Sequence, residues 1–299
     1  MTAVAIECHA KLNLFLRVLS RGDDGYHGLE TLFCLVDLAD GLVAERRDER
    51  GVTIDVAEAE TGPADENLAV RAARLVLEAT GDRFGVHLRL HKRIPVRAGL
   101  GGGSSDAAGA LAAVNRLAGD AIPRHELLQF AARLGSDVPF LFSGAPLALA
   151  WGRGERMVRL PPLPAAPVLL LSPPVAVSTA DAYGWVDEAR QGAGRRGAVA
   201  LDLNALAGWG DIGRMAGNEF ESPVFARHPV VRGAFEALVG TRPLVCRMSG
   251  SGPTLFAVYR SQTDRDDARM LLGRKHGATT PVMTLAAPTR GPDERGAEA

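Results

Sequence analysis

Residues 95–115 read PVRAGLGGGSSDAAGALAAVN, and this stretch decides the fold. Gly99 and Leu100 precede three consecutive glycines, Gly101, Gly102 and Gly103, which run into Ser104, Ser105 and an alanine-rich segment. Upstream, Val86, Leu88 and Leu90 alternate with polar residues, so residues 85–91 read as a strand. Downstream, the run from about Ser105 to Leu117 reads as a helix stopped by Gly119. Strand, bare turn and helix together form an anion site. Glycines let the main chain approach a ligand with no Cβ in the way. The amides of a first helical turn point at the anion, and the helix dipole adds positive potential. Ser104 and Ser105 either cap the helix or offer hydroxyls to phosphate oxygens or a metal. The plain alternative is a flexible turn with a serine cap.

Two familiar phosphate loops are excluded. No lysine follows the glycines, so the GxxxxGK[ST] pattern is absent. Ser104 stands where a dinucleotide fingerprint needs its third glycine, and no N-terminal βαβ unit surrounds the turn. The loop's position after a third of the chain disfavours a dinucleotide-dependent oxidoreductase.

Working outward, the first half alternates strand-like and helix-like segments. Residues 3–6, 12–18, 31–38 and 52–56 read as strands, with GDDGYHGLE as a loop before the third. Residues 67–80 fit a helix with Leu68, Ala72, Leu75, Val76 and Ala79 on one stripe and Gly81 after it. Residues 124–134 fit another, capped by Gly135 and kept from resuming by Pro139. LPPLPAAP, residues 160–167, is the clearest composition break and suits a domain crossing. Beyond it come a strand at 168–171, a polar stretch at 191–197, helices near 202–207 and 230–239, and two strands flanking SGSG. The tail from Thr289 is polar and expected to fray.

Composition narrows the class. With 46% hydrophobic and 23% charged residues, the 299-residue chain suits one or two globular domains. A formal net charge of −1 provides no global field for nucleic acid or an anionic membrane. No apolar run reaches membrane-span length, and the N-terminus lacks the pattern of a secretory signal. Cys8, Cys34 and Cys246 have no metal-ligand spacing and read as reduced thiols of a cytoplasmic protein.

Three further segments bear on the chemistry. HAKLNLFLRV places Lys11 and Asn13 on one side of a strand. That lysine either faces water on an edge or meets an anion, because burial without one is costly. GSDVPF holds Asp137 between a glycine and a proline, where it closes an Asx-turn or presents a carboxylate on a rigid corner. SGSGP, with Gly250, Gly252 and Pro253, is a second close backbone approach or a hairpin turn.

PVRAGLGGGSSDAA, the late SGSGPTLFA and the early AKLNLFL together resemble the small-molecule kinase family of galactokinase, homoserine kinase, mevalonate kinase and phosphomevalonate kinase. Within it, AKLNLFLRVLSRGDDGYHGLETLF, ENLAVRAARLV, GLGGGSSDAA and GSDVPFLF are similar, in that order, to the branch acting on a cytidine diphosphate-linked methylerythritol. The resemblance spans most of the chain, from about Ala10 to Tyr259.

It implies an α+β fold of two domains. Residues 1–155 would form a ribosomal-protein-S5-domain-2-like half, and residues 156–299 a ferredoxin-like half. It implies transfer of the γ-phosphoryl group of ATP, with Mg²⁺, to the 2-hydroxyl of that small-molecule substrate. No nucleic acid or membrane partner and no oligomeric state follow from it.

Residue by residue, the resemblance makes Asp137 the base or orienting group and Lys11 its neighbour. The loop Pro95, Val96, Arg97, Ala98, Gly99, Leu100, Gly101, Gly102, Gly103, Ser104, Ser105 and Asp106 would meet the ATP phosphates. Asp106 itself would point away or act through metal or water. Asn67, Leu68 and Lys92 would lie near the nucleotide. Asn13, Tyr26, His27, Thr179 and Tyr183 would bind the cytidine-linked substrate, with Tyr183 as the opposite stacking face. Gly28, where the family has a bulkier residue, would loosen that clasp. Glu219, where aspartate is common, puts the role of GNEFE in doubt. A kinase with another acceptor and a catalytically silent nucleotide-binding protein are the remaining alternatives.

Overall fold

The computed structural model describes residues 2–22, 25, 27–57, 62–190, 206 and 208–289. Two long strands organise it. β1 (Ala3–Arg21) pairs antiparallel with β2 (His27–Arg47) almost from end to end. The sequence pattern broke β1 into residues 3–6 and 12–18, but register shifts at His9/Lys11 and Asn13/Phe15 carry one continuous strand through the polar interruption. Such bulges keep pairing while re-aiming side chains.

The other edge of β2 is shared. β5 (Leu147–Gly152) pairs with its first half, and β4 (Gly85–His91) pairs with its last. β3 (Val52–Ala57) lies parallel to β4, and β6 (Arg156–Arg159) extends the β5 side. A parallel pair needs a crossover, supplied here by α1 (Leu68–Ala79). α1 joins α2 (Gly102–Leu117), α3 (Arg124–Leu134) and α4 (Val138–Ser143) in a core with the sheet, including Leu42, Leu88, Val76 and Leu111. The buried face of α1 includes Ala69, Ala73 and Leu77, so it is centred one position beyond the expected stripe, and Ala79 is exposed.

After the coil at residues 161–166, a second, antiparallel sheet runs β10-β7-β9-β8. Its strands are β7 (Pro167–Ser172), β8 (Val245–Met248), β9 (Leu255–Val258) and β10 (Ala278–Met283). Five consecutive residues of β7 are buried, which explains its unbroken apolar run. One face shares a core with the first sheet, where Leu12, Leu14, Leu32 and Val36 meet Val168, Leu170, Phe256 and Val282. Against the other face pack α5 (Thr179–Arg190), α7 (Glu221–Arg227), α8 (Pro229–Gly240) and α9 (Gln262–Leu272).

The sequence reading found α8 but neither α9 nor β10. α6 (Trp209–Met215) lies beyond the helix expected near 202–207, which apart from Leu206 falls outside the described residues, as does the stretch 191–197. Thr289, expected to fray, is tied to the Gly144 carbonyl through its amide, at 3.0 Å.

Candidate active site

α2 begins at Gly102, earlier than the pattern around Ser105 predicts, so two glycines form its first turn. Gly101, at φ 73°, sits at the cap, and no side chain caps the helix. The serine-cap alternative is therefore not taken. The first turn leaves amides without partners inside the helix. The glycines serve close packing as much as open access. A Cβ on Gly99 (φ 77°) would lie 2.2 Å from the Ser249 carbonyl oxygen, and one on Gly101 would lie 3.0 Å from Lys11 Cγ. Only Gly103 of the triplet faces open space. The Ser249 hydroxyl also donates to the Gly99 carbonyl, at 2.9 Å. SGSG is thus both the β8–β9 turn and a wedge against the first loop.

Lys11 enters from the bulge in β1. Its amide donates to the Leu100 carbonyl at 2.9 Å, tying strand to loop. Its side chain is 4% exposed, so the water-facing alternative fails. Nζ donates to Asn13 Oδ1 at 2.6 Å, stands 3.3 Å from Asp137 Oδ2 and lies 5.5 Å from the Phe33 ring centre. Asn13 Nδ2 donates to Thr31 Oγ1 at 2.8 Å, and that hydroxyl donates to the Phe15 carbonyl at 2.7 Å. These bonds fix Asn13, which in turn aims the ammonium.

Asp137 stands between α3 and α4 and makes no side-chain cap bond, so it does not close the turn it precedes. Its side chain keeps 29% exposure. A Cβ on Gly250 would lie 3.4 Å from Lys11 Nζ. Lys11, Asp137 and both glycine turns therefore meet at one place. Amides for an anion, an ammonium for its charge and an accessible carboxylate for a hydroxyl suit phosphoryl transfer.

Residues 67–145 match the GHMP kinases N terminal domain, and residues 198–275 match GHMP kinases C terminal. The 4-diphosphocytidyl-2-C-methyl-D-erythritol kinase of Symbiobacterium thermophilum is 42% identical over 272 residues, covering 90% of this chain and 94% of that one. That of Pelotomaculum thermopropionicum is 39% identical over 277 residues, covering 92% and 93%. A crystal structure of 4-(cytidine 5'-diphospho)-2C-methyl-D-erythritol kinase superposes with a TM-score of 0.79 at 34% identity, covering 95% of this chain and all of that one. The chain belongs to the 4-diphosphocytidyl-2-C-methyl-D-erythritol kinase family. The homoserine kinase of Cytophaga hutchinsonii, with a TM-score of 0.70 at 21% identity over 97% of this chain and 96% of that one, shares the fold. Membership makes this a small-molecule kinase of the GHMP type, and such kinases use ATP.

The other expected site residues of this kinase take varied positions around the loop. Ser105 is buried, and its hydroxyl donates to the His9 carbonyl at 2.8 Å; Ser104 is half-buried. Pro95, Val96 and Arg97 are exposed on the loop, while Ala98 and Leu100 are buried under it. Asp106 points away from the loop's open side, toward Lys92 (2.7 Å). Lys92 is buried between Asp106 and Asp40. Asn67 caps α1 by accepting the Ala69 amide at 2.9 Å, with Leu68 half-buried beside it. A cavity of about 1370 Å³ lined by Cys8, Ala108, Arg116 and Arg124 meets this loop only at Ser105.

On the substrate side, Tyr26 lies outside the described residues. His27 Nε2 and Asp187 Oδ1 are 2.7 Å apart, and the imidazole stacks on Tyr183 with ring centres 5.1 Å apart. Burial, and then Asp137, push the Tyr183 phenol up to about 12. Thr179 bonds Ser251 through their hydroxyls at 2.9 Å.

The two departures from the family pattern also have local explanations. A Cβ on Gly28 would lie 3.2 Å from Leu19 Cβ, so Leu19 fills the space a larger residue would take. Glu219 Oε2 accepts the Val18 amide (2.8 Å) and Arg190 Nη2 (2.7 Å), which locks GNEFE onto β1.

Sequence reasoning missed Asn218, whose Nδ2 donates at 2.7 Å to both the Met248 and Gly250 carbonyls and so holds the second turn. It also missed Asp40 and Asp187. Asp40 left a signal, being with Asp37 one of two carboxylates within the otherwise apolar run LFCLVDLADGL.

Proposed function

We propose that the chain transfers the γ-phosphoryl group of ATP to the 2-hydroxyl of 4-diphosphocytidyl-2-C-methyl-D-erythritol. The products are the 2-phosphate and ADP, within non-mevalonate isoprenoid precursor synthesis. The observation that carries this reading is the 3.3 Å contact of Lys11 with a half-exposed Asp137 beside the bare loop.

The ATP phosphates rest on the first-turn amides of α2, with the Ser104 hydroxyl beside them. Lys11 neutralises charge on the phosphoryl group in flight and occupies Asp137 Oδ2. Asp137 Oδ1 then orients the acceptor hydroxyl and takes its proton as the O–P bond forms. His27, held by Asp187, and Tyr183 receive the cytidine, with Tyr26, Thr179 and Asn13 as further substrate contacts.

Mg²⁺ comes with ATP as the counter-ion of its phosphates. Among the described residues no group of three or more His, Cys, Asp or Glu side chains is placed to hold a metal ion. The tasks assigned to Lys11 and Asp137 do not depend on where the ion sits. Residues 1–155 and 156–299 are taken as the two domains, a division in keeping with the coil at 161–166. No described helix is long and apolar enough to cross a membrane, which is in keeping with a reaction in the cytoplasm.

The test is ATP turnover with each acceptor in turn. Phosphorus NMR should show ADP and a new phosphomonoester with the cytidine-linked alcohol, and neither with mevalonate or homoserine. ADP formed equally well with those alcohols, or with none, overturns the proposal.

A further inference from the structure

The phosphate loop leaves β4 after His91 and returns as α2, and both of its ends are fastened to one buried chain of charges. Asp40, on β2, accepts the amides of Arg93 (2.5 Å) and Ile94 (2.8 Å) with Oδ1, and the Lys92 ammonium with Oδ2. Lys92 Nζ also donates to Asp106 Oδ2 in the second turn of α2, at 2.7 Å. All three residues are buried. Two carboxylates share one ammonium, so the sealed group has a surplus negative charge. Asp106 Oδ1 is fully buried and has no hydrogen-bond partner. An oxygen that shares a full charge without a donor is costly to bury.

We propose that Asp106 is a positioning residue of the phosphate loop that takes up a proton when the polyphosphate tail of a nucleotide docks. The inference rests on the reading of this loop as the seat of the ATP phosphates. An anion on the first turn of α2 lies about one turn from Asp106, across an interior that screens charge poorly. An ionised Asp106 opposes that anion. A proton drawn from solvent forms an O–H bond at Oδ1, and no other bond changes. Oδ2 still accepts from Lys92, so both ends of the loop stay tied while the group becomes neutral.

The groups facing Asp106 favour this exchange. Burial pushes its carboxyl up to about 7; Lys92 pulls it down, and Asp40 pushes it up. Burial works to lower Lys92, but Asp106 and Asp40 outweigh it and keep the ammonium charged. Cys8, on β1, is raised well above the ordinary thiol range by burial, then by Asp106 and Asp40, and stays neutral. Glu7 is exposed on β1, and Arg93 and Arg97 are exposed on the loop, where water screens them. Lys11 and Asp137 pair with each other on the loop's far side. Asp106 is therefore the buried group placed to exchange a proton near neutral pH.

Titration calorimetry with ATP and Mg²⁺, without the acceptor alcohol, tests the inference between pH 7 and pH 9 in buffers of different ionisation enthalpy. Asp106→Asn keeps the size and the Lys92 contact but cannot titrate. The wild type should take up protons that the variant does not, and its Kd should rise by up to about tenfold per pH unit above pH ~7, while that of the variant stays flatter. ATP's own ionisation is common to both proteins and cancels in the comparison. Equal proton uptake and equal slopes, with ATP bound by both, overturn the inference and leave the loop reading standing. Failure of the wild type to bind ATP overturns both. Should Asp106→Asn not fold, the infrared difference spectrum of the wild type decides. A carboxylic acid carbonyl band gained on ATP binding upholds the inference, and its absence sinks it.

Discussion

Lys11 and Lys92 are two buried lysines of the same sheet region, each paired with carboxylates, yet they are built for different work. Lys92 lies between the side chains of Asp40 and Asp106, which are 0% and 4% exposed. Lys11 faces Asp137, whose side chain is 29% exposed and stands on a corner between two helices. A carboxylate that must meet a substrate hydroxyl cannot be sealed. One that only holds two chain segments together can be sealed, because low-dielectric surroundings strengthen its bond to the lysine and offset part of the desolvation cost. On the proposed function, exposure of the carboxylate, more than the lysine itself, marks the pair assigned to the reaction.

That contrast can be broken by substitution. Asp137→Ala should lower kcat by about 10²–10⁴-fold with ATP affinity nearly unchanged, as steady-state kinetics and calorimetry would show. Near-normal turnover would put Asp137 outside the chemistry. Lys92→Met leaves two unmatched buried carboxylates and should cost about 3–5 kcal/mol of stability in denaturant titrations. A variant as stable as the wild type would mean that Lys92 fastens nothing. Lys11→Met keeps the stem against Gly101 while removing the charge. It should cost about 10²-fold in kcat with little change in Tm, and a large fall in Tm with kcat intact would reverse the roles of the two lysines. Smallest is Glu219→Gln, which weakens the bonds to Val18 and Arg190. It should cost about 1 kcal/mol of stability and leave kcat within twofold or so, a useful baseline for the other three.

Much of this arrangement was readable beforehand, for identifiable reasons. The alternation in β4, the stop after α2 and the Gly135 cap of α3 are local, and the structure keeps them at Gly85–His91, Leu117 and Arg124–Leu134, whereas Pro139, expected to keep helix from resuming, lies in the first turn of α4. The division of β1 failed because a bulge lets a strand pass through Lys11 without losing its partner β2. The start of α2 was placed too late because glycine is a poor helix former, whereas here Gly102 and Gly103 are helical, Gly102 with Ile94 and Lys92 close against it. α9 and β10 have weak local patterns and were not found. The family resemblance places Lys92 near the nucleotide, and nothing local in the sequence shows the two carboxylates that hold it.

By itself the sequence determined the bare loop, the helix that follows it and the residue types able to move a phosphoryl group, because turns, caps and periodicity act over a few neighbouring residues. Tertiary structure alone decided which lysine meets which carboxylate, that Ser249 presses on Gly99, and that Ser105 turns inward to His9. Those pairings join segments as much as 150 residues apart, and at that separation only the packing of the two sheets determines which charges share a buried space.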